Sequence, residues 1–165
     1  MKTRTIAHLV IGFGKAGKTL AADLAKHGES VILVEQSATM YGGTCINIGC
    51  IPSKLLLVEG EKSERLSDKS AAFTAAMQRR EQLTSALRAA NYNKLASIPG
   101  VEVLTGKARF LSPHVVEVTT ESGVEHIEAK QIYINTGARS AKLSLEGADD
   151  KRIYDSTGLL QLESL

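Results

Sequence analysis

The order of segments in this chain predicts an α/β fold: a parallel sheet with covering helices and an antiparallel β-meander. Three observations carry it. The opening runs apolar strand, glycine-punctuated turn, helix and second apolar strand, a β-α-β unit. The middle, to Ala90, has helical spacing. From Val101 onward the period shortens to strands of about five residues separated by turn residues. The 165 residues suit one domain, and 43% hydrophobic against 23% charged residues gives enough apolar material for a core.

Ile6–Ile11 is the first strand. The helix Ala16–His27 follows, with Ala16, Leu20, Leu24 and Ala21, Ala25 forming its apolar stripe, and Gly28 placed to end it. Val31–Val34 is uniformly apolar, as a strand covered on both faces would be. Met40–Pro52 is glycine-rich and carries both cysteines. Ser53–Leu66 and Ser67–Ala90 read as helices, the second burying Ala72, Ala76, Leu83, Leu87 and Ala90. Five strands then follow: Val101–Leu104, Lys107–Leu111, Val115–Thr119, Val124–Glu128 and Gln131–Asn135. The turns at Gly106, Ser112–Pro113 and Ser122–Gly123 predict antiparallel hairpins throughout this region. Arg139–Leu165 carries little pattern.

Several classes of partner are disfavoured. Twenty Lys and Arg against 18 Asp and Glu leave a net charge of +2, too even to announce a nucleic acid or a membrane. With 4% aromatics and no Trp, a stacking platform for single strands is also disfavoured. Lys2 and Arg4 before the apolar run Ile6–Phe13 imitate a secretory signal, but His8, two glycines and the approach to Lys15 fit a buried strand better. No stretch approaches the roughly 18 apolar residues of a membrane helix. Two cysteines are too few for a secreted disulfide scaffold, so a cytoplasmic location is expected.

Gly12-Phe13-Gly14-Lys15-Ala16-Gly17-Lys18-Thr19 satisfies two phosphate-binding templates. Gly12, Gly14 and Gly17 fit the dinucleotide pattern of Rossmann-like folds; Gly12, Gly17, Lys18 and Thr19 fit a triphosphate P-loop. Both bring backbone N–H groups at a helix N-terminus to phosphate oxygens. The dinucleotide template also wants an acidic residue at the end of the second strand to accept ribose hydroxyls, and Glu35 stands there. The P-loop template wants an Asp after a separate strand, and Asp155 follows only a weak run. A dinucleotide site is favoured, with a P-loop nucleotide-binding protein as the competitor. A turn that merely lets helix and strand pack is the third alternative.

Cys45 and Cys50, five positions apart at the start of a helix, are close enough to bridge if its first turn is distorted. A helix N-terminus favours the thiolate, so a redox-active dithiol is one reading and buried free cysteines the other. No metal site is expected, since His8, His27, His114 and His126 lack ligand spacing.

Gly42-Gly43-Thr44-Cys45-Ile46-Asn47-Ile48-Gly49-Cys50-Ile51-Pro52-Ser53-Lys54 resembles the disulfide signature of the class I pyridine nucleotide-disulfide oxidoreductases, the flavoenzymes that include lipoamide dehydrogenase, glutathione reductase and mercuric reductase. Ile132–Ala138 resembles that family's second flavin-contact strand, and Tyr154–Leu162 the segment before its nicotinamide domain. Met40-Tyr41 and the Gly12–Thr19 loop are most similar to the bacterial reactive-chlorine-resistance flavoprotein branch.

The resemblance implies FAD lying across the domain. Gly12, Gly14 and Gly17 would hold its pyrophosphate and Glu35 its adenosine ribose. Gly43 and Thr44 would face the flavin-proximal half, Ala108 the adenine through its backbone, and Thr136 with Gly137 the pyrophosphate side. Cys50 would be the thiol against the isoalloxazine, Cys45 the outer thiol that exchanges with substrate, and Lys54 a cation near the flavin N5. Electrons would pass from NAD(P)H through FAD to Cys45–Cys50, and on to a small-molecule or metal-ion acceptor. Family members are homodimers of several hundred residues with nicotinamide-binding and dimerisation domains. Residues 1–165, which lack a second glycine fingerprint and the partner-supplied His-Glu pair, are expected to form the FAD-binding part alone, with NAD(P)H a cofactor of the full-length enzyme only. An inert FAD-binding fragment is the alternative that follows.

Overall fold

A computed structural model describes residues 3–163; Lys2 of the signal-like opening lies outside them. One six-stranded sheet organises the chain. Its strands are β1 (Thr3–Ile11), β2 (Val31–Glu35), β3 (Val101–Thr105), β4 (Lys107–Phe110), β5 (Val115–Thr120) and β6 (Gly123–Ile134), in the spatial order β3-β2-β1-β6-β5-β4. The first four in that order are parallel; β5 runs antiparallel to β6, and β4 to β5. The helices are α1 (Lys15–Lys26), the single turn α2 (Thr44–Asn47), α3 (Cys50–Ser63), α4 (Lys69–Ala96) and the short α5 (Ser156–Leu159).

Alternation along β1 and β2 assigns each side chain to one of two cores. Leu9, Ile11, Ile32 and Val34 meet Val116, Val118, Ile127 and Ala129 of the meander. Val10, Val31 and Leu33 meet Phe13, Ala21 and Leu95 beneath α1 and α4. Val31–Val34 is accordingly buried at every position, as a strand covered on both faces requires. At the end of α1, Gly28 takes φ +85°; its N–H donates to the Ala25 carbonyl at 3.0 Å, and the Glu29 N–H to that of Leu24 at 3.1 Å. This is the Schellman closure expected of a glycine at that place.

Three expectations are corrected. Val101–Thr105 does not enter a hairpin: it pairs parallel with β2, because the crossover through α4 delivers it beside that strand. Gly106, instead of turning β3 onto β4, donates its N–H to the Glu35 carbonyl at 2.9 Å. Val124–Glu128 and Gln131–Asn135 form one strand through Ile134, because Ala129 pairs with Ile6 and Gln131 with His8 on the same edge of β1, and Ala129 is buried. The second helical region begins at Cys50, three residues before the expected start. Pro52 is tolerated there because the first turn of a helix has N–H groups to spare.

The long helix α4 reaches Ala96, and Leu95 is buried beyond the expected end. Ala76 is buried as expected, with Met77 and Thr84 beside it, whereas Leu83 and Ala90 are exposed. Among the described residues no helix is long and apolar enough to cross a membrane.

Candidate functional site

A cleft of about 490 Å³ opens at the carboxyl end of β1. Here the chain leaves on one side toward β2 and receives β6 on the other, the switch point where open α/β sheets bind ligands. Gly12, Gly14 and Lys15 line one wall, Val34, Glu35 and Gln36 another, Gly43, Thr44 and Cys45 a third. Gly106, Lys107 and Ala108, with Asn135, Thr136 and Gly137, complete it.

The loop is held by contacts that require glycine. Gly12 has φ +111°, and a Cβ there would lie 2.2 Å from the Asn135 carbonyl oxygen. Gly14 caps α1 without a side-chain hydrogen bond, and no acidic residue occupies the first turn, so that helix end presents N–H groups and positive potential to the cleft. Glu35 is 8% exposed. Its Oε2 accepts the Phe13 N–H at 2.9 Å and its Oε1 the Ser37 N–H at 3.2 Å, so this carboxylate braces the loop as well as lining the cleft.

Gly17 is buried and does not line the cleft. A Cβ there would be 2.4 Å from the Gly12 carbonyl oxygen and 3.0 Å from Val10, so its contribution is to let α1 approach β1. Lys18 turns away from the cleft and donates from Nζ to Asn91 Oδ1 on α4, while the Thr19 hydroxyl donates to the Lys15 carbonyl at 2.7 Å. The P-loop alternative needs both on a triphosphate and its Mg²⁺, so it is set aside.

The dithiol occupies two helices rather than the first turn of one. Cys45 lies in α2; Ile48 and Gly49 break the helix, and Cys50 starts α3. Both are free thiols and exposed. A hydrogen bond between the Cys50 and Cys45 side chains, with burial, pushes the Cys45 thiol above the ordinary thiol range. The Cys50 backbone N–H and the Lys18 ammonium pull it back down. Cys45 lines the cleft; Cys50 does not. Lys54 stands one turn beyond Cys50 on α3, in a separate groove with Ile51, Leu55, Val58, Glu59 and Leu83.

Asn135 was not anticipated. Its Nδ2 donates to the Gly12 carbonyl at 3.1 Å, tying the end of β6 to the glycine loop. Its place directly before Thr136-Gly137 was the available signal.

The profile of the pyridine nucleotide-disulphide oxidoreductases matches residues 6–165. The chain belongs to this family. It is 44% identical over 158 residues to the probable pyridine nucleotide-disulfide oxidoreductase RclA of Escherichia coli (strain K12), covering 95% of this chain and 34% of that protein. It is 32% identical over 169 residues to a mercuric reductase of Streptomyces lividans, covering 94% and 35%. Among solved structures, the HOCl-induced flavoprotein disulfide reductase RclA from Escherichia coli matches with TM-score 0.83 and 43% identity, over 95% of this chain and 34% of that one. Its Cu(II) complex matches with TM-score 0.86 and 42% identity, over 97% and 35%. The fold is therefore the Rossmann-like α/β fold of these reductases. The chain spans about a third of the length of the relatives it matches.

Proposed function

We propose that residues 1–165 form an FAD-binding domain carrying a redox-active dithiol. The observation that carries it is the convergence on one cleft of the glycine loop, the Glu35 carboxylate, the Ala108 and Thr136-Gly137 segments and the Cys45 side. The cleft fits the group: its glycines leave room for a pyrophosphate, a helix N-terminus faces that room, and an acceptor for ribose hydroxyls stands at the far wall. Gly12 and Gly14 would hold the pyrophosphate, with Gly17 setting the helix behind them. Glu35 would hold the ribose, Ala108 the adenine, and Gly43, Thr44, Thr136 and Gly137 the remainder. When bound, the flavin supplies two-electron transfer between a nicotinamide and the dithiol.

On the chain's side, Cys45 is the thiol that meets substrate and Cys50 its partner. Forming the Cys45–Cys50 disulfide releases two electrons and two protons, which an acceptor takes up. Lys54, one turn past Cys50, would supply positive charge to the flavin. The acceptor is proposed to be a small molecule, a disulfide or a metal ion. A mercuric reductase among the relatives and a Cu(II) complex of RclA support the metal-ion class. NAD(P)H as electron donor, a homodimeric assembly and a cytoplasmic location are proposed on the same kinship.

Flavin titration tests the reading. The chain should bind FAD with a visible flavin spectrum and ignore Mg²⁺-ATP, and Glu35→Ala should weaken FAD binding about 10- to 150-fold, the value of a charge-assisted hydrogen bond. A colourless protein that binds Mg²⁺-ATP would overturn it. Thiol counting tests the dithiol: two free thiols in the reduced chain should become none after mild oxidant and return with reductant.

A further inference from the structure

Lys18 is the residue that made the glycine loop imitate a triphosphate site, and the proposed cofactor does not use it. It lines a groove of about 970 Å³ between α1 and α4, at the upper end of the size of small-molecule sites. Leu20, Leu95 and Ile98 form the apolar floor of this groove, all three packed into the helix-side core. Lys15, Lys18, Lys26 and Lys94 supply its cations, and Asp23 a carboxylate. Four lysines against one aspartate leave +3 in the groove of a chain whose net charge is +2, so the remainder of the chain sums to −1. Among the described residues none of the four lysines is ion-paired, whereas Arg79 and Arg88 of α4 both are. Asp23 faces His27 at 3.9 Å.

Three of the lysines converge on one end of the groove. Lys15 and Lys18 are three residues apart on α1 and so share a face. The Lys18 ammonium is bonded to Asn91 Oδ1 on α4, and Asn91 is fixed in turn by donating to the Leu87 carbonyl at 2.7 Å. Lys94 stands three residues beyond Asn91, so it joins the same end from the other helix. The crowding is felt at Lys18, whose ammonium is pushed below the ordinary lysine range by burial first and then by Lys15 and Lys94. Lys26 stands eight residues beyond Lys18, about 12 Å along α1. We propose that the α1/α4 groove binds a soluble organic phosphate with an apolar body, its phosphate among Lys15, Lys18 and Lys94 and its body on Leu20, Leu95 and Ile98. A dianionic phosphate suits three cations without ion pairs, and an aryl or alkyl body suits a floor without hydrogen-bonding side chains. A nucleoside phosphate suits it poorly, because its ribose hydroxyls would lie on that floor. The groove is distinct from the cofactor cleft, and Lys15 is the residue that lines both.

Equilibrium dialysis of 1-naphthyl phosphate against the 165-residue chain, with and without saturating FAD, tests this. Binding should be about tenfold tighter than that of inorganic phosphate or of 1-naphthol, and FAD should leave it unchanged. Lys18→Gln and Lys94→Gln should each weaken it about fivefold, while Lys18→Arg should retain it. Lys62→Gln, which removes a lysine outside the groove, should have no effect. Lys18→Gln can still donate to Asn91 and Lys94 is exposed, so neither change removes what holds the two helices together. The inference is overturned if inorganic phosphate or 1-naphthol binds as tightly as the ester, or if both Gln variants match wild type. Displacement by FAD would put the ligand in the cleft and overturn it too, as would Lys18-dependent sedimentation with phosphatidic acid vesicles in place of binding to the soluble ester. A chain that takes up no FAD yet holds 1-naphthyl phosphate through Lys18 would overturn the cofactor reading and leave this one standing.

Discussion

Gly43 shows how narrowly single residues set this site. It has φ +81° and ψ −170°, a region open essentially to glycine alone that costs an L-residue about 1–3 kcal/mol, and a Cβ would strike the Gly14 backbone at 2.6 Å. Gly43→Ala should therefore lose about 2 kcal/mol or more, read as a lowered urea midpoint, and should weaken FAD binding because Gly14 is displaced. At the dithiol, the Cys50 side chain holds the proton on Cys45, so Cys50→Ala should lower the pH at which Cys45 begins to alkylate, measured on the reduced variant. That Gly12, Gly14 and Glu35 share one cleft was legible from motif spacing, whereas Gly43, Thr44, Ala108, Thr136 and Gly137 were placed beside them only by the family resemblance. Asn135 was not legible, because an asparagine closing a strand has no meaning until a glycine loop from the other end of the chain arrives beside it. Nor could spacing show that Gly17 faces the strand and Lys18 faces α4; both are consequences of helix packing.

Among the elements, those specified by local chemistry were the most legible. The α1 stop at Gly28 and the doubly covered β2 follow from one glycine and four apolar residues. The hairpins at Ser112–Pro113 and Ser122–Gly123 were legible from their turn residues, but the partner of Val101–Thr105 was not, because that strand has the same appearance whether its neighbour is β4 or β2; only the α4 crossover decides. The start of α4 has its own determinant. Asp68 caps it, Oδ1 accepting the Ala71 N–H at 2.9 Å. Asp68→Ala should cost about 1 kcal/mol in urea denaturation, with FAD affinity unchanged, because the cap is at the far end of α4 from Asn91. Further along, Arg4 of β1 bonds to Glu102 of β3 and to Glu125 of β6, the latter at 2.8 Å. This ties the start of β1 to its neighbour β6 and, across β2, to the start of β3.

For the whole molecule, the two cores share β1 and β2, so neither layer has an independent half-sheet to fold upon. Leu33→Ala in the helix-side core and Ile127→Ala in the meander-side core should each cost about 2–5 kcal/mol. Each should shift one common transition. Far-UV circular dichroism and the fluorescence of the tyrosines, Tyr41 and Tyr92 being packed in the helix layer, should report the same midpoint; separate midpoints would show two independently melting layers. The long reach of β6 has a further consequence, in the order of events during synthesis. Thr3 pairs with His126 and Ile11 with Ile134, so one edge of β1 has no sheet partner until more than 120 residues have been made. Closing so distant a pair is slow, and an open apolar edge is the form of a chain most prone to stick to its neighbours. Asn135, the residue after β6, reaches the Gly12 carbonyl only once that strand has docked. A nascent chain should thus complete the cleft last, and on the proposed function flavin present at that moment would select the finished sheet.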